Sequence, residues 1–136
     1  MISKTLLTSI FLSFLLTLNA FSAGSSDSGS SKTKTQYDMA VSHINAAKKF
    51  EEKDKLKKAK KRYEKAQKLL IQSNEKFPNK ANTLNYLGFT TRKLGDYENG
   101  EKYYLQGLAI DPNHKGINEY LGELYVATNR HNLAVE

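Results

Sequence analysis

The side chains able to do chemistry are few in this sequence. Its three histidines, His43, His114 and His131, stand far apart, and no His-Glu-x-x-His pair sets two imidazoles one helical turn from each other. The 136-residue chain has no cysteine, so it has no thiol nucleophile, no thiolate ligand and no disulfide. Asp96, Glu98 and Glu101 form a local group of acids. They open a predicted helix, however, where the dipole favours carboxylates without any catalytic role. His114 follows Pro112 and reads as a solvated turn residue. We therefore expect no catalytic residue, no metal site and no cofactor. What remains is the chemistry of binding, carried by clustered lysines and by aromatic residues at helical spacing.

The lysines are concentrated. From Lys48 to Lys68 eleven Lys or Arg face four acids, a surplus of seven that equals the net charge of +7 of the whole chain. Within that run Lys57, Lys58, Lys60, Lys61, Arg62, Lys65 and Lys68 surround Ala59, Tyr63, Ala66, Leu69 and Leu70. The apolar residues recur at steps of three and four, which makes them the buried face of one helix. A solvated lysine face is the plain account of the rest. The sharper account is attraction to an anionic surface, whether a membrane leaflet, an envelope polymer or an acidic protein. Nucleic acid is disfavoured, because no basic strip interleaved with aromatics and no nucleic-acid motif is present.

The elements that position these residues repeat. Tyr86-Leu87-Gly88 recurs as Tyr120-Leu121-Gly122, thirty-four positions later. Gly88 and Gly122 are expected where two helices press together, and Leu84, Leu87 and Leu94 form an apolar stripe. Gly95-Asp96 ends one helix, Asp96 caps the next, and Pro112 closes the unit. An earlier unit beginning at Ala40 places Phe50, Ala59, Tyr63 and Ala66 on large and small positions in turn. Its closing Pro78 then lies nineteen residues after Ala59, whereas Pro112 lies twelve after Gly100. This predicts a second helix from about Lys55 to Lys76 that is seven residues, close to two turns, longer than its counterpart. The other register, pairing Tyr63-Glu64 with Tyr97-Glu98, would set Lys53 and Lys57 on core positions.

A 34-residue period with Leu84, Leu87-Gly88, Gly95-Asp96-Tyr97-Glu98, Tyr104 and Leu108-Ala109-Ile110-Asp111-Pro112 resembles the tetratricopeptide repeat (TPR) family. The unit from Lys115 keeps Leu121-Gly122, Tyr125 and Ala134. The resemblance implies an all-α solenoid of helical hairpins wound into a right-handed superhelix, with two complete repeats and a truncated third. It implies a non-catalytic scaffold or adaptor that holds a protein or peptide in its concave groove. In the family the groove is lined by the second, fifth, sixth, ninth and twelfth positions of each first helix. Here these are Asn82, Asn85, Tyr86, Phe89 and Arg92 in one unit and Glu119, Tyr120 and Glu123 in the next, whereas Tyr63, Tyr104 and Tyr125 take core positions. Replacing Tyr86 and Tyr120 by alanine is expected to weaken capture and leave the melt nearly unchanged. The clamp that some members use for a C-terminal carboxylate is not reproduced: Asn45 and Lys48 are present, but Gly116, Glu119 and Tyr120 stand where basic residues would be needed. The alternative function is an electrostatic tether through the basic helix, residues 48–68. Gly100 and Gly107 stand where the family usually has alanine, so Gly107→Ala is expected to stabilise the domain.

The boundaries follow. Residues 1–22 carry Lys4, an apolar run from Leu6 to Leu18 and small residues around Ala20-Phe21-Ser22, the order of a cleaved signal peptide; the rival reading is an uncleaved anchor, for which the run is shorter than the ~20 residues that span a bilayer. Residues 23–35 form a Ser/Gly/Thr leader, and 36–136 the repeat domain, with units at about 40–80, 81–114 and 115–136. The mature chain is expected to carry no membrane span and to be periplasmic or secreted. In the third unit a helix of about seven residues from Arg130 would be too short to cover Leu121, Leu124 and Tyr125, so the chain is expected to be a fragment, or to have that edge covered by another chain, and to exchange quickly from about Lys115 onward. Export is checked by intact mass: protein from its own cell should begin near Ala23, and a full-length cytosolic chain is the contrary result.

Overall fold

The first helix begins where Thr35 can cap it. The Thr35 hydroxyl accepts the Asp38 N–H at 3.1 Å and the Asp38 carboxylate accepts the Thr35 N–H at 3.0 Å, a reciprocal capping box. The computed structural model describes residues 33–134; the expected signal peptide at 1–22, nearly all of the leader at 23–35 and the last two residues lie outside the described residues. The order is α1 (Gln36–Glu51), α2 (Leu56–Lys76), α3 (Ala81–Lys93), α4 (Tyr97–Ile110) and α5 (Lys115–Ala127), then one 3-10 turn (His131–Leu133). Among the described residues there is no strand. The helices pair as hairpins, α1 with α2 and α3 with α4, and α5 packs on α4 and α3.

Each first helix stops at a left-handed residue. Asp54, Gly95 and Asn129 have φ of 52°, 98° and 59°, a conformation that glycine takes freely and Asn or Asp tolerate. Their spacings, 41 and then 34 residues, show the first unit to be seven residues longer than the second. The excess lies in α2, which has 21 residues against 14 in α4. Ala59, Tyr63 and Ala66 keep the 41-residue offset to Gly100, Tyr104 and Gly107, and all six are buried, so the two added turns are at the C-terminal end of α2. Those turns extend it by about 10 Å. α1 answers with a longer N-terminal end, where the Gln36 amide donates to the Gln72 side chain at 3.1 Å. Lys53 and Lys57 are exposed, as the longer register requires.

The core is two groups of side chains bridged by Tyr120. One holds Ile44, Tyr63, Leu70, Leu87 and Phe89, and the other Tyr104, Ile117, Leu121 and Leu124. Tyr104 is fully buried because Gly88 leaves room for its ring, which occupies the place a Cβ at residue 88 would take. Gly122 differs from Gly88. A Cβ there would meet only the Ala134 carbonyl at 3.7 Å, because a single 3-10 turn stands where a second helix was expected to press. Leu121 and Leu124 are nevertheless buried, which corrects the expectation that this side lies uncovered; α4 covers it together with Ile117. The Glu101 carboxylate holds the following turn, accepting both ends of the Arg130 guanidinium at 3.0 and 2.6 Å while Arg130 lies 4.8 Å over the Tyr125 ring.

Gly107 also departs from expectation. A Cβ there would collide with the δ-methyl of fully buried Ile117. Gly107→Ala is therefore expected to destabilise the protein, and to stabilise it in an Ile117→Val background that lacks this methyl, a coupling that a double-mutant cycle by urea denaturation measures. The same experiment separates the paired glycines. Gly88→Ala should cost about 1–3 kcal/mol by displacing a buried ring, whereas Gly122→Ala should gain about 0.5–1 kcal/mol of helix propensity. Equal effects at 88 and 122 would show that Tyr104 does not depend on the missing Cβ.

Candidate functional site

The first helices of the three units lie side by side, and their facing residues meet over Phe89. The rings of Phe89 and Tyr120 stand 4.8 Å apart at 40°. Lys48 from α1 donates to the Tyr120 hydroxyl at 3.3 Å, its ammonium 4.8 Å from the Phe89 centroid and 5.6 Å from that of Tyr120. Arg92 from α3 lies 5.7 and 5.9 Å from the same two centroids and is fixed at 2.6 Å by Glu123. Both touching rings thus have Lys48 and Arg92 within cation–π distance, and Phe89 has Lys93 as well at 5.8 Å. Beneath them Glu51 ties three helices, accepting the Tyr63 hydroxyl at 2.9 Å and the Lys93 ammonium at 3.0 Å. Burial, and then this hydrogen bond, push the Tyr63 pKa up.

The eight residues expected in the groove do not share one environment. Asn82, Glu119 and Glu123 are exposed, and Tyr86, Arg92 and Tyr120 are half-buried. Asn85 and Phe89 are buried, at 6% and 2% exposure, which corrects their placement as contact residues. The cause is packing between units: Phe89 meets the Tyr63 ring edge-on at 5.8 Å, and the Asn85 amide lies against Gly116, where a Cβ would come within 2.9 Å of it. Tyr86 and Tyr120 also have different neighbours. The Tyr86 ring tilts on Tyr37 at 5.9 Å, and burial, with Tyr86 and Asp38 nearby, pushes the Tyr37 pKa up.

Three residues stand outside the expected set. Lys48 stands 41 residues before Phe89, the length of the first unit, so the repeat register already contained it. Tyr37 precedes the unit and left no such signal. His114 is no solvated turn residue: its Nδ1 accepts the Ile117 N–H at 3.1 Å, capping α5, while its Nε2 donates to Asn82 Oδ1 at 2.7 Å.

The basic helix divides as well. Lys58, Lys61, Arg62 and Lys65 line one open cleft with Phe50, Lys57 and Lys60 line another with Glu51 and Lys93, and Lys68 stands beside Glu64. The Arg62 guanidinium donates to His43 Nδ1 at 3.0 Å. Burial, then Arg62 and Lys65, hold the His43 pKa below the ordinary imidazole value. Among the described residues, no group of three His, Cys, Asp or Glu could hold a metal ion and no helix is long and apolar enough to cross a membrane.

The histidine cap is testable. His114→Ala should lower stability by about 1 kcal/mol, the usual worth of an N-cap, and His114→Asn should keep most of it. Urea denaturation of the two variants reads the difference, and equal loss in both would assign the effect to packing rather than capping.

In comparison with known proteins, no curated sequence matches this chain. The α3/α4 hairpin with its closing loop, residues 81–114, matches the family described as the tetratricopeptide repeat, and the helical hairpins of the described residues fit the helical-repeat fold of that family.

Proposed function

We propose that the face built from α1, α3 and α5 binds a protein or peptide partner, and that the protein is a non-catalytic adaptor acting after export to the periplasm or the cell exterior. Tetratricopeptide repeats generally mediate protein–protein interaction. The observation that carries the reading here is the tilted pair of rings with Lys48 and Arg92 over both. Aromatic and arginine side chains fixed before binding give up little entropy when a partner arrives, which is the character of interface hot spots. Asn82, Tyr86, Tyr120, Glu119 and Glu123 supply the accessible surface around them. Asn85 and Phe89 support it from below. Export rests on the apolar run and small residues within 1–22.

The half-burial of Tyr86 and Tyr120 changes the test. Removing both rings should now lower the melt as well as binding, since each packs on another aromatic ring. The cleaner variant is Lys48→Gln with Tyr120→Phe, which keeps the stack and removes the charge and its hydrogen bond. A photocrosslinker at residue 119 should trap a partner in the native compartment and one at exposed Lys102 should not, and Lys48→Gln/Tyr120→Phe should lower the trapped yield several-fold with the melt preserved. Equal trapping from 119 and 102 would overturn the proposal.

A second reading, attraction of an anionic surface by the basic helix, is favoured by one observation. Among the described residues none of Lys57, Lys58, Lys60, Lys61, Arg62, Lys65 and Lys68 has an acid within ion-pair distance. Salt separates the two readings, because such a tether weakens steeply with ionic strength and an aromatic face does not.

A further inference from the structure

The side of the α1/α2 hairpin away from the ring stack carries a cleft of about 350 Å³ lined by Phe50, Lys58, Lys61, Arg62 and Lys65, with none of its lining drawn from α3, α4 or α5. We propose that this cleft is a binding site for a compact, multiply charged phosphate group, with the Arg62 guanidinium as its oriented fork and Lys58, Lys61 and Lys65 as its point charges. The proposal rests on the second reading above and narrows it from a charged helix to one place on that helix.

Four features support it. First, the four cations converge on one cavity without an acid among its lining residues, and among the described residues none of them is in an ion pair. Like charges held together in this way lower their mutual repulsion when a dianion enters. Second, Arg62 is half-buried and fixed by His43 at 3.0 Å, so the planar donor that matches phosphate geometry is already positioned. Third, Phe50 forms an apolar wall, half-buried, with the Lys58 ammonium 5.9 Å from its ring, which suits the carbon-bearing side of an organic phosphate. Fourth, the first turn of α2, which holds Lys58, has no acid, so no carboxylate there offsets that charge. A lone carboxylate would leave most of these four charges uncompensated in a cavity of this size. A phosphate dianion or an oligophosphate does not.

His43 provides a reporter beside the site, through its hydrogen bond with Arg62. Burial, then Arg62 and Lys65, lower its pKa. A dianion in the cleft offsets the field of Arg62 and Lys65 at the ring, while Nδ1 stays the acceptor of the Arg62 hydrogen bond. Binding should therefore move the His43 ring signals. His114 and His131 are on other elements, the cap of α5 and the 3-10 turn, and act as internal controls.

The test uses the full chain and two probes, pyrophosphate in solution and vesicles of phosphatidic acid in phosphatidylcholine, with pure phosphatidylcholine as the blank. Histidine-ring NMR should show saturable movement of the His43 signals, with those of His114 and His131 in place. Calorimetry should show affinity falling about 10-fold or more in Lys61→Gln/Lys65→Gln. Lys57→Gln/Lys60→Gln removes the same charge from exposed positions of the same helix outside the cleft, and should change affinity less than about 3-fold. Response to both probes identifies a phosphate site open to soluble ligands, and response to the charged vesicles alone identifies a lipid headgroup as the source. Equal losses in the two lysine pairs would overturn the cleft while leaving the general tether standing. No saturable response of His43 to either probe would overturn the proposal outright.

Discussion

The ring of Tyr104 fills the volume that any side chain at residue 88 would need, and this one steric exchange sets the distance between α3 and α4. With the two helices that close, Leu84 and Leu87 are carried into the core and Ile117 reaches the space beside Gly107. α5 then packs on α4, and Tyr120 is brought against Phe89. The ring stack of the candidate face is therefore a remote product of a missing Cβ. The first unit solves the same problem with Ala47 and Tyr63, both buried 41 residues before Gly88 and Tyr104.

The two faces of the protein rest on different physics. The α1, α3 and α5 face has its cations partnered: Arg92 by Glu123, Lys93 by Glu51, and Lys48 by two aromatic faces and a hydroxyl. Its order comes from packing, and salt acts weakly on it. The far side of α2 has charges without counter-charges among the described residues, on a helix anchored by its buried Ala59, Tyr63, Ala66 and Leu70 face. α1 serves both, presenting Lys48 to one and His43 and Phe50 to the other.

Much of the fold was legible because it depends on residues whose steric properties are local. Proline cannot continue a helix and glycine alone leaves a gap for a ring, so Pro78, Pro112 and Gly88 marked the length of α2 and the α3/α4 contact directly. The site was only partly legible. Helical register tells which way Phe89 and Asn85 leave the backbone, but not that Tyr63 and α5 close over them. His114 escaped because imidazole is an unusual cap, recognised only when Asn82 from the preceding unit is seen to fix its ring. The division of the lysines was hidden for the same reason. One helix shows its own spacing, and the cleft exists only where α1 adds Phe50 as a wall and His43 as the partner of Arg62.

Stacked helical repeats usually touch only their immediate neighbours, so each junction can flex like one coil of a spring. Lys48 breaks that rule, because its ammonium passes over Phe89 of the second unit to reach the Tyr120 hydroxyl of the third, 72 residues away in the chain. A strut across two junctions limits how far the face can splay. The three units are thereby stiffened against splaying at both junctions, and the curvature of the face is set by the chain's own side chains.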